Sequence, residues 1–181
     1  MLRIIAGKYR SRILEQPPLS ITRPTIDRAR EALFNIIQND IENSVVLDCF
    51  AGSGAFCFEA VSRGATKAIA IEKNPIAFAI IQKNLEKLNI NNMEVKNMDS
   101  LNYLEHAKNI QFDFIYLDPP YKLDVLKQCL DFIAKNQLLK KYGKIIIETK
   151  FDTTIDTPNE LIIIDERIYG KTKFIFINWI D

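Results

Sequence analysis

The sequence predicts an α/β fold in which helices cover both faces of a doubly wound, mostly parallel sheet. Short β-branched or apolar runs alternate with helical stretches from residue 45 onward, which is the pattern of parallel βαβ units. The first of these runs ends in a glycine turn. The chain has 181 residues, of which 48% are hydrophobic and 26% charged, as expected for one ordinary globular domain.

The first 40 residues have a different pattern. Residues 2–14 alternate short apolar and basic stretches around Gly7 and predict a small hairpin. Thr25 is the predicted N-cap of a helix over Ile26–Asn39, with Arg28, Arg30 and Glu31 placed away from its apolar stripe. We therefore divide the chain into an N-terminal extension, residues 1–40, and a core, residues 41–181.

The core pattern predicts seven strands and four helices. The strands are expected at residues 45–47, 67–71, 93–96, 112–117, 144–148, 161–165 and 173–179. The helices are expected at residues 55–63, 75–88, 100–107 and 123–135. Only the short link 168–172 separates the last two strands, so we expect them to pair as an antiparallel hairpin.

Charge is distributed unevenly along the chain. Residues 1–30 hold seven basic and two acidic side chains, whereas the other 151 residues hold 17 basic and 21 acidic ones. A basic arm on a mildly acidic body is typical of proteins that contact a phosphate backbone at one end. A solvated surface explains the same charges equally well, so the charge alone leaves both interpretations open.

Cysteine usage and hydropathy limit the class of protein. The three cysteines form no CxxC pair, so we expect reduced thiols, no disulfide framework and no metal site. No apolar stretch follows the basic N-terminal residues, and no apolar run approaches the ~20 residues of a membrane span. We expect a cytoplasmic, monomeric protein without a membrane partner.

A candidate cofactor site begins where the first core strand ends. Two of the six glycines of the chain, Gly52 and Gly54, lie in the turn after Asp48, where glycine lets a backbone approach a ligand closely. Glu72 ends the second core strand, 20 residues after Gly52. A carboxylate at this distance accepts hydrogen bonds from the hydroxyls of a ribose.

Two cofactor classes fit a glycine turn followed by an acid, dinucleotides and S-adenosylmethionine. The dinucleotide fingerprint requires a third glycine or an alanine at position 57, where this chain has Cys57, preceded by Phe56. S-adenosylmethionine has no phosphates and needs no third glycine. Position 57 therefore favours S-adenosylmethionine and makes a nicotinamide dehydrogenase the weakest alternative.

The fourth core strand runs into Asp118-Pro119-Pro120-Tyr121. Two successive prolines hold the backbone extended and offer no N–H, so the Pro119 carbonyl is fixed beside the Asp118 carboxylate. Two acceptors next to an aromatic ring suit a planar heterocycle that carries an exocyclic amine. Hydrogen bonds from the amine to these acceptors favour a pyramidal nitrogen with an available lone pair, and Tyr121 positions the base by stacking.

Three further residues have less specific interpretations. Asp99, after the third core strand, is either a partner for the adenine amine of the cofactor or the N-cap of the next helix. Asp48 either ends the first core strand or orients the amino end of the cofactor. His106, the only histidine, is expected on the surface.

These motifs together resemble the RsmD-type methyltransferases, which methylate the N2 amine of one guanine in bacterial small-subunit (16S) ribosomal RNA. The resemblance covers nearly the whole chain, from Arg3–Arg10 through residues 23–35 and 47–54 to Asp118–Tyr121. The Asp-Pro-Pro-Tyr motif is shared with DNA adenine methyltransferases, and the N-terminal block is the specific part. Phe56, Cys57 and Phe58 depart from the smaller residues usual in the family, and we expect local repacking there.

The resemblance implies a Rossmann-like, seven-stranded S-adenosylmethionine-dependent fold and a role for each group of residues. The catalytic residues would be Asp118, Pro119, Pro120 and Tyr121. The cofactor would contact Asp48, Phe50, Ala51, Gly52, Gly54, Glu72, Lys73, Asp99 and Ser100. RNA binding or base positioning would fall to Arg3, Lys8, Arg10, Arg12, Arg23, Thr25, Arg28 and Arg30.

The expected reaction is therefore methylation of a guanine N2 in ribosomal RNA, within an assembled or partly assembled particle. Adenine N6 is the closest alternative, in DNA or RNA, because both amines would satisfy the same two acceptors. A non-catalytic RNA-binding scaffold with this fold is the alternative from another class. It would not need the motif acid, the two prolines and the ribose carboxylate that this chain has.

Overall fold

The computed structural model describes residues 2–18, 20, 27–120 and 123–180, and within these ranges the chain forms nine strands and five helices. The strands are β1 (Leu2–Arg3), β2 (Ile13–Leu14), β3 (Val45–Asp48), β4 (Lys67–Ile71), β5 (Met93–Lys96), β6 (Phe112–Leu117), β7 (Leu139–Lys150), β8 (Leu161–Tyr169) and β9 (Thr172–Trp179). The helices are α1 (Asp27–Ile36), α2 (Ala55–Ser62), α3 (Pro75–Leu88), α4 (Ser100–His106) and α5 (Leu123–Lys135).

The main sheet has the order β5-β4-β3-β6-β7-β9-β8. Strands β3 to β7 are parallel, and β9 runs antiparallel to both β7 and β8. The predicted α/β class, the mostly parallel sheet and the closing antiparallel hairpin are confirmed. The strand order reverses on either side of β3, so the carboxyl ends of β3 and β6 form the topological switch point where ligands bind in this class.

Several predicted boundaries change. Strand β7 begins at Leu139 rather than at residue 144, and a register shift between Phe112 and Phe114 of β6 accommodates its first part. Gly143 lies at this irregularity, where an added Cβ would come within 2.9 Å of the carbonyl oxygens of Phe112 and Asp113. The closing hairpin turns at Gly170, so β8 and β9 are also longer than predicted.

Helices on the two faces of the sheet bury separate apolar cores. One core joins the hairpin and helices α1, α2 and α3 to one face through buried residues such as Leu14, Phe34, Phe58, Ile81 and Phe114. The other joins α4 and α5 to the opposite face through Leu104, Cys129, Ile133, Ile115 and Ile147. No helix in the described ranges is both long and apolar enough to cross a membrane.

The N-terminal hairpin, formed by β1 and β2, is fixed to the last turns of α2. The fully buried Glu59 carboxylate accepts hydrogen bonds from the backbone N–H groups of Ile5 and Ala6, at 2.8 and 3.0 Å. The Ser62 carbonyl accepts one from Lys8 N–H at 2.7 Å. A Cβ at Gly7 would lie 1.8 Å from that carbonyl oxygen, so this close approach requires glycine.

Candidate functional site

The turn after β3 contacts both neighbouring strands. Cys49 N–H donates to the Tyr116 carbonyl of β6 at 3.0 Å, and Ala51 N–H donates to the Ile71 carbonyl of β4 at 3.0 Å. Gly52 and Gly54 have φ values of 55° and 76°, which favour glycine. The turn therefore lies between the ends of β4 and β6.

Packing gives Gly54 a role that differs from the predicted one. An added Cβ at this position would contact core atoms of Phe58 and Ile81 at 3.1 and 3.2 Å. Its missing side chain therefore serves the packing of α2 against α3, besides the left-handed backbone. The close approach of a ligand therefore remains a reason for glycine at position 52, but not at position 54. Phe50 is half-buried and packs against the second core, and Ala51 is buried.

Glu72 follows β4 and holds the turn from the other side. Its Oε2 accepts from Gly52 N–H at 2.6 Å, and its Oε1 accepts from Asn74 N–H at 2.7 Å. Burial raises the pKa of Glu72, although these backbone N–H groups favour its charged form. Each carboxylate oxygen has a second lone pair, so the group can also accept from a ligand hydroxyl.

The end of β5 contributes Asp99. Its side chain caps α4 by accepting from Leu101 and Asn102 N–H, and it forms a 3.0 Å ion pair with the exposed Lys73. The N-cap interpretation is confirmed, and it is compatible with a cofactor contact. Ser100 is buried, and its hydroxyl donates to the Cys49 carbonyl, so it connects α4 to the glycine turn. His106 is exposed as expected.

Asp48 lies at the end of β3 with only 2% of its surface exposed. Burial raises its pKa to about 8, the Phe50 N–H group opposes that shift, and the charges of Glu72 and Glu148 reinforce it. The Phe50 N–H donates to Oδ1 at 3.1 Å. Asp48 therefore lies near the carboxyls of Glu72, which follows β4, and Glu148, in β7.

The predicted catalytic motif follows β6 directly. Asp118 and Pro119 are half-buried and Pro120 is exposed. Tyr121 lies outside the described residues, as do Arg23 and Thr25. Because Cys49 N–H donates to the carbonyl of Tyr116, the glycine turn and the motif lie at adjacent strand ends.

A stacked aromatic column underlies this motif. The ring of Phe56, from α2, lies parallel to that of Tyr116 with centroids 4.3 Å apart. Phe34, from α1, contacts Phe56 at 5.2 Å. Phe56 thus places a ring from α2 flat against Tyr116.

Glu148 is a residue that the sequence prediction missed. It follows Ile147 of β7, which pairs with Leu117 of β6, so it lies level with Asp118. The Tyr116 hydroxyl donates to its Oε2. Burial raises the pKa of Tyr116, and the charges of Glu148, Asp118 and Asp48 raise it further, which indicates that all three carboxyls lie near the phenol.

The predicted RNA-contacting residues have different environments. Arg3, Lys8, Arg10, Arg12 and Arg28 are exposed. Arg30 is 3% exposed, which corrects its placement away from the apolar stripe, because its Nη2 donates to the Arg3 carbonyl at 2.8 Å and to Asp27 at 3.0 Å. Arg30 thus fastens α1 to the hairpin, a contact that helical spacing alone does not reveal.

The cysteines are structural. Cys49, Cys57 and Cys129 are free and buried. Burial raises the pKa of Cys49 and of Cys57, and raises that of Cys129 to about 12. None of the three is therefore a thiolate nucleophile at neutral pH.

Comparisons with known proteins agree with this arrangement. Residues 2–178 match the family described as Conserved hypothetical protein 95. The Ribosomal RNA small subunit methyltransferase D of Buchnera aphidicola subsp. Baizongia pistaciae is 39% identical over 175 residues, 95% of this chain and 87% of that protein. That of Haemophilus influenzae is 37% identical over 176 residues, 96% of this chain and 91% of that protein.

A solved structure has a similar fold. The protein yhhF from Escherichia coli has a TM-score of 0.89 at 31% identity, covering 98% of this chain and 97% of that one. Both the sequence and the fold are thus similar over almost the full length of the two chains. The chain belongs to the RsmD-type methyltransferase family, the family described as Conserved hypothetical protein 95.

Proposed function

We propose that the protein is an S-adenosylmethionine-dependent methyltransferase of small-subunit ribosomal RNA that modifies a guanine N2 amine. The observation that carries the proposal is the position of Asp118-Pro119-Pro120 directly beside the glycine turn, at the switch point of the sheet. The two curated relatives described above are named for small-subunit ribosomal RNA. The choice of the guanine N2 amine as the methylated group rests on the resemblance to the RsmD-type family.

The residues at the strand ends fit S-adenosylmethionine better than a dinucleotide. Cys57 is fully buried, with Sγ 3.7 Å from the Ile69 carbonyl, so a side chain fills the place where the dinucleotide fingerprint requires glycine or alanine. Gly52, Glu72 and Asp99 would hold the cofactor from the ends of β3, β4 and β5. When bound, S-adenosylmethionine supplies a methyl group on a positively charged sulfur.

The protein then has to make a conjugated amine nucleophilic. Asp118 and the Pro119 carbonyl would accept the two N–H groups of N2, which favours a pyramidal nitrogen and positions its lone pair. As N2 gains the methyl group, its proton passes to the Asp118 carboxylate. The base has to leave its stack to reach these acceptors, and the exposed arginines and lysine of the hairpin would hold the flanking phosphates.

The substrate in the cell would be a ribosomal particle rather than free RNA, with the protein acting as a monomer in the cytoplasm. The hairpin offers few groups that read base edges, so the shape of the surrounding particle would supply much of the selectivity. Transfer rates on naked RNA and on isolated particles, compared at equal concentration, test this part of the proposal.

Substitution of the motif acid tests the catalytic assignment. We expect Asp118→Ala to lower methyl transfer at least ~100-fold, while the dissociation constant of S-adenosylmethionine, measured by calorimetry, stays within about tenfold. The matched control is Asp124→Ala, which removes an exposed carboxylate from α5 and should change neither quantity. Retained turnover in Asp118→Ala would refute the assignment.

A further inference from the structure

We propose that Glu148 is the residue that selects guanine over adenine, by accepting a hydrogen bond from guanine N1–H. This inference rests on the proposed function and concerns the same site. Asp118 and the Pro119 carbonyl alone do not discriminate the two bases, because both bases carry an exocyclic amine. A residue that contacts the neighbouring ring atom is therefore needed.

The position of Glu148 supports this role. It follows the residue of β7 that pairs with Leu117, and neighbouring strands lie about 4.8 Å apart. Its side chain is half-buried and lies on the same side of the sheet as Tyr116. It accepts a hydrogen bond from the Tyr116 hydroxyl. An amine held at Asp118 would thus place the adjacent ring nitrogen toward Glu148.

Tyr116 would act as the positioning residue for Glu148. The phenol donates to Oε2, and Phe56 stacks on the ring with an interplanar angle of 4°. The hydrogen bond leaves the carboxylate with further lone pairs, and it holds the acceptor in one orientation. The sheet and the aromatic column therefore fix the acceptor before a base arrives.

The charge around the site favours guanine for the same reason. The carboxylates of Glu148 and Asp118 both act on the Tyr116 phenol, so the site presents acceptors to whatever enters it. The Watson–Crick edge of guanine presents N1–H beside the N2 amine, a row of donors. Adenine presents a lone pair at N1 next to its N6 amine, and this lone pair would face the Glu148 carboxylate.

A base analogue separates this role from a structural one. 2-Aminopurine has the same N2 amine as guanine, but its N1 is an acceptor. After the modified nucleotide has been mapped, small-subunit RNA with either base at that position is assembled into particles. We expect the wild-type protein to prefer guanine by at least ~100-fold in kcat/KM, because the Glu148 carboxylate would meet the N1 lone pair of 2-aminopurine in place of the N1–H donor of guanine.

The Glu148→Gln variant then supplies the decisive comparison. Its amide can donate to N1 of 2-aminopurine, so we expect the guanine preference to fall at least ~10-fold while the affinity for S-adenosylmethionine is unchanged. Tyr116→Phe keeps the ring and removes only the donor, and should lower the preference by a smaller factor. Glu160→Gln, at an exposed position before β8, should leave the preference unchanged.

The outcomes are distinguishable. Equal losses on both bases in Glu148→Gln and in Tyr116→Phe would show a merely structural role and overturn the inference. If Glu148→Gln did not fold, an unchanged guanine preference in Tyr116→Phe would overturn it. A wild-type protein that methylates no guanine in any particle would refute the proposed function itself, and this inference with it.

Discussion

Asp48 shows how a single buried group links the site to stability. Its carboxyl is inaccessible to water at the end of β3, and burial raises its pKa to about 8 from an ordinary value of 3.8. Between these two values the folded chain binds a proton that the unfolded chain releases. The contribution of Asp48 to stability is therefore complete below about pH 4 and is lost as the pH rises toward 8.

The Asp48→Asn variant removes this pH dependence. Asparagine keeps an oxygen for the Phe50 N–H group and cannot ionise, so we expect its stability to fall less than that of the wild type between pH 5 and pH 8. The expected difference exceeds about 1 kcal/mol, since one pKa unit corresponds to ~1.4 kcal/mol. Urea unfolding at the two pH values measures it. Asp124→Asn, on the surface of α5, is the control, and parallel curves for wild type and Asp48→Asn would contradict the account.

Glu72 is the residue on which cofactor affinity should depend most directly. Both of its oxygens accept backbone N–H groups, and glutamine would place an amide donor against one of them. Since hydrogen bonds to a charged group contribute about 1.5–3 kcal/mol, we expect Glu72→Gln to weaken S-adenosylmethionine binding by ~10-fold or more in calorimetry. Glu94→Gln changes an exposed carboxylate of β5 that pairs with Lys96, and it should bind normally. Equal affinities in both variants would exclude Glu72 as a ligand.

Helix α2 connects the site to the N-terminal hairpin. Its first turn follows Gly54 in the cofactor turn, and its last turn carries Glu59 and Ser62, which bind the hairpin backbone. Arg63 also donates to Glu59, at 2.7 Å. Because the rigid helix α2 joins the glycine turn to the N-terminal hairpin, the basic residues of the hairpin have a fixed position relative to Asp118.

Removing the Glu59 carboxylate should therefore destabilise the molecule. The Glu59→Ala variant leaves two backbone N–H groups and the mostly buried Arg63 without their acceptor. We expect the free energy of unfolding to fall by about 3–5 kcal/mol. Chemical denaturation measures the loss, and Glu86→Ala, at an exposed position of α3, should change it by under ~0.5 kcal/mol. A loss of similar size in both variants would contradict the proposed attachment.

At the scale of the whole molecule, the basic hairpin packs on one face of the sheet and is fixed to the last turn of α2, whereas the motif acid follows the carboxyl end of β6. Leu2 and Leu14 of the hairpin belong to the core that covers the face carrying the Tyr116 side chain. RNA that contacts the exposed Arg10 and Arg12 would lie along this face. Such contacts would give the uneven charge of the sequence a functional explanation.

The salt dependence of RNA binding tests that explanation. Each phosphate contact adds about 0.7–0.9 to the slope of log affinity against log salt concentration. We expect the double variant Arg10→Ala/Arg12→Ala to bind small-subunit RNA more weakly and with a slope reduced by about 1.5. The double variant Lys127→Ala/Lys135→Ala, on α5 across the sheet, is the control. An unchanged slope in the hairpin variant would place the RNA elsewhere.

The sequence predicted the features that depend on local pattern and left out those that depend on distant partners. Strand β6 and helix α3 have the predicted bounds, because apolar periodicity and the proline of Pro75 are local signals. The burial of Arg30 was missed, since its acceptor, the Arg3 carbonyl, lies 27 residues away. Glu148 was missed for the same reason, because the register of β7 against β6 brings it to Tyr116 and Asp118.

Nucleoside mass spectrometry tests the central claim most directly. Unmodified small ribosomal subunits would be incubated with the protein and isotopically labelled S-adenosylmethionine, and their RNA digested to nucleosides. The account predicts label in N2-methylguanosine, absent when Asp118→Ala replaces the wild type. Label in N6-methyladenosine would contradict the choice of base and the role of Glu148, while keeping the Asp118 chemistry. No label, although S-adenosylmethionine binds, would contradict the proposed activity on small-subunit RNA and favour the scaffold alternative.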